Sequence, residues 1–382
     1  MQPGPICSRL FSCCGNQLRA ASPLSFPPAI PRRVCFALGF VSHSFHTLRV
    51  RMKALLKFLL LLPLTALADD YPTIGSIERF DPALDTLIPK DTKIEKLAEG
   101  ITWSEGPVWK DGSLFFSDVP GNIAYRWNPG DHSATPFLNP SGGSSDRTGF
   151  REPGSNGLGV DVDGRLILCQ DATRRVTRME KDGTFTVLAD RYEGKKFNSP
   201  NDLAYLKNGD LHFTDPPYGL EGLNDSPIKE LPYNGVFRIA TDGKVTLLIK
   251  DLTFPNGIAF SPDQKTLYIG ITDPKEPRIM AYDVLADGTL GKSRLFFDAK
   301  PLQDKGLNGS CDGMKVDVHG NIFTSGPGGF LILSPEGKLL GAIHTGDLIA
   351  NAAWGDDGST LYMTANHIIC RVHTTTKGAT WK

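Results

Sequence analysis

Residues 197–202 read FNSPND and stand shortly before residues 210–215, DLHFTD, which alternate in the manner of a β-strand. The first stretch places an amide, Asn201, beside a carboxylate, Asp202, in a turn that precedes the strand. Three other stretches also set a short oxygen-bearing side chain next to Gly or Pro ahead of a strand: SEGP at 104–107, FPNG at 254–257 and CDG at 311–313. The recurrence predicts that repeated units each deliver one oxygen ligand to a shared metal site.

A β-strand preceded by a polar turn recurs six times, at residues 112–115, 164–167, 209–212, 265–268, 320–323 and 359–362. The spacings of about 40 to 55 residues match the period of a four-stranded propeller blade. Asp-Gly and Glu-Gly pairs between these strands are typical of tight hairpins, because glycine tolerates positive φ. No long helical periodicity follows Ala68. The sequence therefore predicts an all-β chain with one six-bladed β-propeller domain over residues 93–382.

A propeller must close its ring, or its first and last blades expose unpaired strand edges. Residues 93–98, KIEKLA, are predicted to pair with residues 368–372, IICRV, and so to complete the last blade. Closure would bring the stretches around residues 105, 201, 256 and 312 to one mouth of the central channel. Residues 69–92 are polar and contain three prolines, which predicts a surface arm.

The character of the N-terminal sequence changes at Met52. Residues 52–68, MKALLKFLLLLPLTALA, have the basic start, short apolar run and Ala-Leu-Ala end of a secretory signal peptide. The apolar run is shorter than the roughly 20 residues of a membrane span. We expect a secreted or periplasmic protein in which residues 1–51 are an over-extended start. The rival interpretation is an organellar transit peptide, since residues 1–51 contain Arg and Ser but no acidic residue.

The charge distribution bears on possible partners. The 382 residues have a formal net charge of −1, but the first 68 carry eight Lys or Arg and no acidic residue. The remaining chain is therefore acidic and has no basic tract, which excludes an ordinary nucleic-acid-binding surface. Its three cysteines, Cys169, Cys311 and Cys370, have no CxxC spacing. They are predicted to be buried thiols.

The predicted ligands are Glu105, Asn201, Asn256 and Asp312. Carboxylate and amide oxygens are hard donors, and the mouth of a propeller leaves room for water to complete six to eight ligands. The set predicts a divalent cation, with calcium favoured over zinc, magnesium or manganese. Two carboxylates would neutralise the ion while leaving it able to polarise a substrate oxygen.

These segments resemble the gluconolactonase, senescence marker protein and regucalcin family. The resemblance runs from about residue 94 to residue 372 and is carried by SEGPVW at 104–109, SPND at 199–202, FPNGIAFS at 254–261 and CDG at 311–313. It implies a six-bladed propeller with one divalent cation, usually calcium, at the four predicted ligands. It also implies hydrolysis of a lactone or related ester, with Asp202 and Asp312 as the carboxylates that act on substrate or water.

The chemistry of these residues agrees with that implication. A cation can polarise a lactone carbonyl and acidify a bound water. A carboxylate that takes the proton of the water contributes roughly 10² to 10⁴ in rate. We assign this role to Asp202, which could instead hold a sugar hydroxyl, and regard Asp312 first as a ligand. No Gly-x-Ser-x-Gly elbow follows the signal segment, and no His has a spacing that pairs it with Cys311.

Four further residues are candidates for substrate binding. Asn156-Gly157 repeats the pattern of Asn256-Gly257, so Asn156 is expected at the same mouth. The others are Asp171, Arg174 and Tyr218. Many relatives carry Glu-His where this chain has Gln170-Asp171, which leaves the substrate preference open.

Two other features have competing interpretations. Residues 139–154 are rich in Ser and Gly, which predicts a disordered surface loop rather than a mobile lid over the mouth. Trp103 and Trp109 are expected to serve packing rather than to form platforms for a sugar.

The favoured hypothesis is a calcium-dependent lactonase whose partner is a small sugar lactone such as glucono-1,5-lactone. The alternatives are hydrolysis of an organophosphate or another ester on the same metal, and a non-catalytic propeller in which calcium is structural. A second carboxylate beside the ligands favours catalysis, because a structural ion does not need it. The identity of the lactone and the oligomeric state stay open.

Overall fold

The computed structural model describes residues 71–379. The predicted segments 1–51 and 52–68 lie outside these residues. Most of the described chain is in β-strands, which form six sheets of four or five strands. The prediction of an all-β, six-bladed propeller is thereby confirmed.

The N-terminal part of the described chain precedes the first complete blade. It contains β1 (Thr73–Ile74), β2 (Ser76–Arg79), a 3-10 helix (Pro82–Thr86) and β3 (Ile94–Glu99). Asp81 begins the 3-10 helix by accepting a hydrogen bond from the Ala83 amide, at 2.8 Å, and Pro82 supplies a preset φ at the first helical position.

Each of the first three blades is an antiparallel sheet of four strands, numbered from the channel outwards. Blade 1 contains β4 (Ser104–Lys110), β5 (Ser113–Asp118), β6 (Ile123–Trp127) and β7 (Thr135–Leu138). Blade 2 contains β8 (Ser155–Val160), β9 (Leu166–Gln170), β10 (Arg175–Met179) and β11 (Phe185–Ala189). A small hairpin follows, with β12 (Arg191–Tyr192) and β13 (Lys195–Lys196). Blade 3 contains β14 (Leu203–Tyr205), β15 (Leu211–Asp215), β16 (Asn234–Ile239) and β17 (Val245–Leu252), with a 3-10 helix (Leu223–Asp225) between its middle strands.

The last three blades complete the ring. Blade 4 contains β18 (Pro255–Phe260), β19 (Thr266–Ile271), β20 (Arg278–Val284) and β21 (Leu290–Asp298), and the single-turn helix α1 (Lys300–Gln303) follows it. Blade 5 contains β22 (Met314–Val316), β23 (Ile322–Gly326), β24 (Gly329–Leu333) and β25 (Leu339–His344). Blade 6 contains β26 (Asn351–Gly355), β27 (Thr360–Ala365) and β28 (Ile368–His373). The innermost strands contact each other in sequence order around the channel: β4, β8, β14, β18, β22 and β26.

The hydrophobic core lies between the faces of successive blades. Between blades 2 and 3, the rings of Phe213 and Phe237 stack with centroids 5.4 Å apart, and Phe197 meets Phe213 edge to face at 5.1 Å. All three side chains are fully buried. Such aromatic pairs add about 0.5 to 1.5 kcal/mol each to the stabilisation from burial. This packing fixes the angle between the blades and hence the positions of the inner strands.

The ring closes through β3, which pairs antiparallel with β28 and becomes the fourth strand of blade 6. Ile369 faces Ala98 and Arg371 faces Glu95 in this register. The Arg371 guanidinium also donates to the Glu95 carboxylate, at 2.6 Å. The predicted pairing of residues 93–98 with residues 368–372 is confirmed.

Residues 71–92 are part of the last two blades. β1 pairs with β3 at the outer edge of blade 6, and β2 pairs with β25 at the outer edge of blade 5. Leu84 and Ile88 are fully buried in the core that these blades share. The segment predicted as a surface arm therefore lies on the outside of the propeller but contributes strands and core side chains to it.

Residues 139–154 are folded, so the expectation of a disordered loop was wrong. Ser141 is fully buried, and its hydroxyl accepts a hydrogen bond from the Ser155 amide at 2.9 Å. The Gln170 side chain donates to the Ser141 carbonyl at 2.8 Å. Phe150 forms a β-bridge with Leu220, a residue of blade 3. The small polar residues that suggested disorder instead supply local hydrogen bonds that tie the loop to blades 2 and 3.

Helices are short throughout. Within residues 71–379 no helix is long and apolar enough to cross a membrane.

Removal of β3 is expected to abolish folding. A protein starting at residue 100 would leave β28 as an exposed edge and remove Leu97, which is 1% exposed, from the core between blades 6 and 1. We expect it to aggregate and to lose its cooperative thermal transition. A control starting at residue 81 lacks β1 and β2 but retains β3, and it is expected to unfold cooperatively at a lower temperature than the parent. Cooperative unfolding of the shorter protein would contradict the closure described here.

Candidate active site

The predicted donor residues lie at one end of the inner strands, where three of these strands are bulged. The register shifts between Glu105 and Val108 in blade 1, between Ser155 and Leu158 in blade 2, and between Pro255 and Ile258 in blade 4. A bulge leaves a residue outside the ladder and turns its side chain to a new direction. The bulges therefore release Glu105, Asn156 and Asn256 from the alternation of the strand.

Four of the donor residues are followed by glycine, because the next inner strand lies directly against the Cα of that glycine. A Cβ at Gly106 would lie 2.0 Å from the Asn156 carbonyl oxygen, and one at Gly257 would lie 2.1 Å from the Asp312 carbonyl oxygen. Both distances are far below van der Waals contact. The glycines of these Glu-Gly, Asn-Gly and Asp-Gly pairs are thus a condition for packing the inner strands.

The same contacts place the donors around one axis. The Gly157 amide donates to the Asn201 carbonyl at 2.7 Å, which joins blade 2 to blade 3. The Thr214 hydroxyl donates to the Asn256 carbonyl at 2.7 Å, which joins blade 3 to blade 4. Together with the two glycine contacts, these bonds place the donor set at one mouth of the channel: Glu105, Asn156, Asn201, Asp202, Asn256 and Asp312.

Asn351 links two of the carboxylates and was not predicted from the sequence. Its side-chain amide donates to Glu105 Oε2 at 3.3 Å and to Asp202 Oδ2 at 3.2 Å. Its Oδ1 accepts from the Lys315 ammonium at 3.0 Å. Asn351 opens β26, the inner strand of the sixth repeat, and no Gly or Pro follows it. Its place in the repeat was the only signal that could have identified it.

The amide donors have oxygens without a protein partner. Asn156 Oδ1 is buried and makes no hydrogen bond within the described residues. The Asn201 side chain likewise has no partner in residues 71–379, although it is only 5% exposed. Asn256 donates from Nδ2 to the Thr272 hydroxyl at 3.0 Å, which leaves its Oδ1 unpaired. Buried polar atoms are ordinarily satisfied, so this set of unpaired oxygens fits a cation bound between them and the carboxylates.

Without a bound cation, burial and the repulsion between negative charges raise the pKa of two carboxylates of this site, Glu105 and Asp312. Burial raises the pKa of Glu105 to about 7, and the negative charge of Asp202 adds to this rise. Burial also raises the pKa of Asp312 well above its usual range, with further contributions from Glu105, Asp202 and Glu152. Buried groups of like charge repel in a medium of low dielectric constant, and a cation would relieve that repulsion.

A cavity of about 700 Å³ opens above these residues and has Asp312 in its wall. It lies among the loops of blades 4 to 6, and its wall includes Trp103, Thr272, Asn308 and Asp347. Asp202 is not part of the wall. Its Oδ1 accepts from the Leu203 amide at 2.8 Å, and the side chain is 3% exposed. Asp312 is thus the carboxylate that faces the cavity, whereas Asp202 does not line it.

Of the other predicted substrate-binding residues, Tyr218 lies near the mouth. Its hydroxyl is 3.5 Å from the Thr272 carbonyl oxygen, and its ring stacks on Phe254 with centroids 5.7 Å apart. Burial raises the pKa of Tyr218, and the negative charge of Asp312 contributes to the rise. These contacts fix the side chain beside Thr272, a residue of the cavity wall, although Tyr218 itself does not line the cavity.

Asp171 and Arg174 are buried in the turn that joins β9 to β10. Asp171 is fully buried, and neither carboxylate oxygen has a partner within the described chain. Burial raises its pKa well above the usual range, with Glu152 and Asp215 adding to the effect. Arg174 donates to the Phe197 and Ile228 carbonyls and pairs with Glu230. The Arg174 guanidinium is therefore used in joining blade 2 to blade 3, and within the described residues neither side chain has a hydrogen bond to the donor set.

Among residues 71–379, no histidine or cysteine belongs to the donor set. His212 is fully buried against the edge of Phe260, with centroids 5.0 Å apart, and burial lowers its pKa to about 4. Cys169, Cys311 and Cys370 are buried free thiols, as predicted. Burial raises the pKa of Cys311 to about 12, so this thiol is a poor nucleophile at neutral pH.

The glycine contacts can be tested by one methyl group. Gly257→Ala is expected to lower the free energy of unfolding by about 2 kcal/mol or more, because its Cβ meets backbone that cannot move away. Gly291→Ala, on the outer strand of the same blade, is the matched control, since its nearest atom is a flexible Leu285 methyl at 3.2 Å. Urea unfolding measures both. Equal stability of the two variants would contradict the close approach of the inner strands.

The carboxylate pKa values predict how pH acts on the metal-free protein. The folded pKa of Glu105, about 7, exceeds the ordinary value of 4.5, so its contribution to stability is greatest at low pH and is lost as pH rises between these values. The loss is about 3 kcal/mol. The melting temperature of chelator-treated protein is expected to fall over this window, and added calcium is expected to raise it far more at about pH 8 than at about pH 5.

Glu105→Gln provides the control for this effect. The variant should show a shallower fall and little stabilisation by calcium at either pH. Other buried acids with a raised pKa, such as Asp215, act in the same direction. The melting temperature of the variant should therefore still fall with rising pH, but less steeply. Equal stabilisation of the parent by calcium at both pH values would show that these carboxylates do not bind the ion.

Comparison with known proteins agrees with this architecture. Residues 103–367 match the model of the SMP-30/Gluconolactonase/LRE-like region. A gluconolactonase of Zymomonas mobilis subsp. mobilis is 44% identical over 314 residues, which cover 80% of this chain and 88% of that protein. The solved structure of a gluconolactonase from Xanthomonas campestris superposes with a TM-score of 0.67 at 30% identity, covering 79% of this chain and 97% of that one.

A more distant relative bears on the alternative hypotheses. Diisopropyl-fluorophosphatase of Loligo vulgaris is 22% identical over 254 residues, which cover 63% of this chain and 78% of that protein. The family model spans more than half of the chain and includes all four predicted ligands. The family resemblance of the four signature segments is therefore confirmed, and the chain belongs to the SMP-30/gluconolactonase/LRE-like family.

Proposed function

We propose that this protein hydrolyses a sugar lactone, an aldonolactone such as glucono-1,5-lactone, to its aldonic acid. The observation that carries the proposal is the convergence of Glu105, Asp202 and Asp312 with unpaired amide oxygens beside a cavity that Asp312 lines. The 44% identity to a gluconolactonase, over most of both chains, supports the same reaction.

The donor set fits a divalent cation held by Glu105, Asn201, Asn256 and Asp312. All four side chains offer oxygen. Two of them are amides, so the set does not consist of three or more His, Cys, Asp and Glu side chains, and residues 71–379 contain no cluster of that kind with metal-binding geometry. Oxygen donors suit calcium, magnesium or manganese better than zinc, and calcium best tolerates a mixture of amide and carboxylate oxygens. When bound, the cation would polarise the lactone carbonyl, stabilise the developing oxyanion and favour ionised carboxylates around it.

Asp312 is placed to move the proton. It faces the cavity, whereas Asp202 is fixed below it by Leu203 and Asn351. Asp312 would accept a proton from the water that attacks the lactone carbonyl carbon, and the bond between that carbon and the ring oxygen would then break. The ring oxygen takes the proton back from Asp312, so the product is a hydroxy acid and the carboxylate is regenerated.

Asp202 has a supporting part in this scheme. Both of its oxygens accept hydrogen bonds, and its charge lies close to Glu105 and Asp312. Through Asn351 it fixes the orientation of Glu105. The Lys315 ammonium in turn holds the Asn351 amide, and its positive charge lowers the pKa of Glu105 against the effect of burial. We therefore assign the base role that the sequence suggested for Asp202 to Asp312 instead.

Hydroxyl side chains in the wall of the cavity, those of Thr272 and Ser310, favour a sugar lactone over an organophosphate triester. They are suited to the hydroxyls of an aldonolactone, whereas a triester with alkyl groups offers them no hydrogen-bond donor. A purely structural cation would not require Asp312 to face an open cavity. The segment at residues 52–68 further supports the proposal that the enzyme acts in the periplasm or outside the cell.

Metal-dependent release of acid tests the proposed function. Protein starting at Asp69 would be stripped with chelator and assayed on glucono-1,5-lactone at about pH 6.5, where the background is low, with calcium, magnesium, manganese or zinc restored in turn. The parent is expected to regain activity best with calcium. Asp312→Asn is expected to lower kcat by at least about 10²-fold, since both proton transfer and one ligand are impaired.

Asp242→Asn is the matched control. Asp242 lies in an exposed turn of blade 3, where its Oδ1 accepts from the Lys244 amide at 2.9 Å, a bond that an Asn oxygen also accepts. This variant should retain full activity. A folded parent that binds calcium but releases no acid above background would refute the lactonase proposal, and full activity of Asp312→Asn would refute the assigned site.

A further inference from the structure

The mouth cavity extends well beyond the residues that hold the reacting group. Asp312 lies immediately before β22, the innermost strand of blade 5, whereas His344 ends β25, the fourth strand of the same blade. Both residues line the cavity. Adjacent strands are about 4.8 Å apart, so the cavity reaches about 14 Å from the inner strand towards the rim. A six-membered lactone ring occupies about one strand spacing and would fill only the inner part.

The floor of the outer part of the cavity is formed by glycine backbone. Gly309, Gly326, Gly328 and Gly329 line it, and they meet where the loop before β22 crosses the turn between β23 and β24. A Cβ at Gly309, which has φ of +117°, would lie 2.5 Å from the Gly326 carbonyl oxygen. Side chains are thus excluded from the floor by the packing of these loops, and the groove between the walls stays open.

The walls of the outer part carry polar groups that are not used within the protein. The Asn308 side chain is exposed and has no hydrogen-bond partner in the described chain. The hydroxyl of Ser310, a partly exposed residue, also has no partner there. Asp347 Oδ1 accepts from Asn366 at 3.1 Å, which leaves its second carboxylate oxygen available. A free amide, hydroxyl and carboxylate around one groove are the groups that bind the vicinal hydroxyls of a sugar.

Two apolar side chains flank these polar groups. Trp103 is partly exposed in the wall beside Asp312, and its indole makes no ring contact with another aromatic side chain of residues 71–379. Leu348 is 44% exposed on the outer wall. Partly exposed apolar surfaces beside polar groups suit the C–H faces of a pyranose ring.

We propose that the outer part of the cavity is a subsite for a second sugar ring, so that the substrate class is an aldonolactone carrying a glycosyl group. The proposal rests on the lactonase function proposed above. In a 1,5-lactone the oxygen at C4 lies across the ring from the carbonyl carbon at C1. With the carbonyl at Asp312, a 4-O-glycosyl group projects away from the carboxylates along the groove towards Asn308, Asp347 and Leu348.

Kinetics on two lactones test this subsite. The parent is expected to hydrolyse 4-O-glucosyl-glucono-1,5-lactone with a kcat/KM at least equal to that for glucono-1,5-lactone. Asn308→Trp and Leu348→Trp place an indole in the outer groove while leaving the inner site intact. Each is expected to lower kcat/KM at least tenfold for the glucosylated lactone, mainly by raising KM, and to change that for glucono-1,5-lactone less than twofold.

Leu285→Trp is the matched control, because Leu285 is a similarly exposed leucine, at 48%, that lies in a hairpin of blade 4 outside the cavity. This variant should leave kcat/KM unchanged for both lactones. The proposal is overturned if the parent discriminates tenfold or more against the glucosylated lactone, or if the groove variants slow both lactones equally. A parent that prefers δ-decalactone, which carries an alkyl tail, would also overturn it in favour of an apolar substituent.

A binding measurement separates this proposal from the lactonase function. If the parent hydrolyses neither sugar lactone, the proposed function fails. Calorimetric titration with the product, 4-O-glucosyl-gluconate, then decides on the subsite alone. Binding by the parent at least tenfold tighter than that of gluconate, lost in Asn308→Trp and kept in Leu285→Trp, supports the subsite, and equal binding of the two acids overturns it.

Discussion

The close approach of the inner strands at the channel mouth is the constraint on which the rest of the structure depends. Neighbouring blades meet there with backbone oxygen against glycine Cα, as at Gly106 and Gly257, and any side chain would force them apart. The bulges beside these glycines turn the preceding side chains towards the axis. The same contact that packs the blades therefore produces the ring of donors. It also makes closure by β3 and β28 necessary, because one missing blade edge would open the ring.

Concentrating acids in this way has an electrostatic cost. Glu105, Asp202 and Asp312 lie within one water-poor region, where like charges repel and burial disfavours ionisation. The fold offsets part of this cost with Asn351, which donates to two of the acids, and with Lys315 behind it. The unpaired amide oxygens show that the offset is incomplete in the protein alone. A cation at the proposed site would complete it, so folding stability and catalysis would depend on the same ion.

The segments outside the blade pattern shape the mouth. Residues 139–154 cross from blade 1 to a β-bridge with blade 3 and bring Glu152 close enough to raise the pKa of Asp312. The loops around Gly309 and Gly328 leave the floor of the outer cavity free of side chains. Blades supply the reacting groups in fixed positions, whereas loops decide how much space surrounds them. Substrate preference is therefore expected to vary with the loops while the chemistry stays with the inner strands.

The sequence by itself determined the class of fold, the number of blades and the closing pair of strands, and it predicted four ligands for a common mouth. Each rests on a local pattern that recurs: a turn, a donor beside Gly or Pro, and an alternating strand. Only the tertiary structure decided the rest. Asn351 and Lys315 carry no local signal and are joined to Glu105 by the ring geometry. Arg174 resembled a binding residue, but its guanidinium bonds to residues of the next blade, which are distant in sequence. The order of residues 139–154 and the reach of the cavity likewise follow from contacts between blades, which no single stretch of the chain encodes.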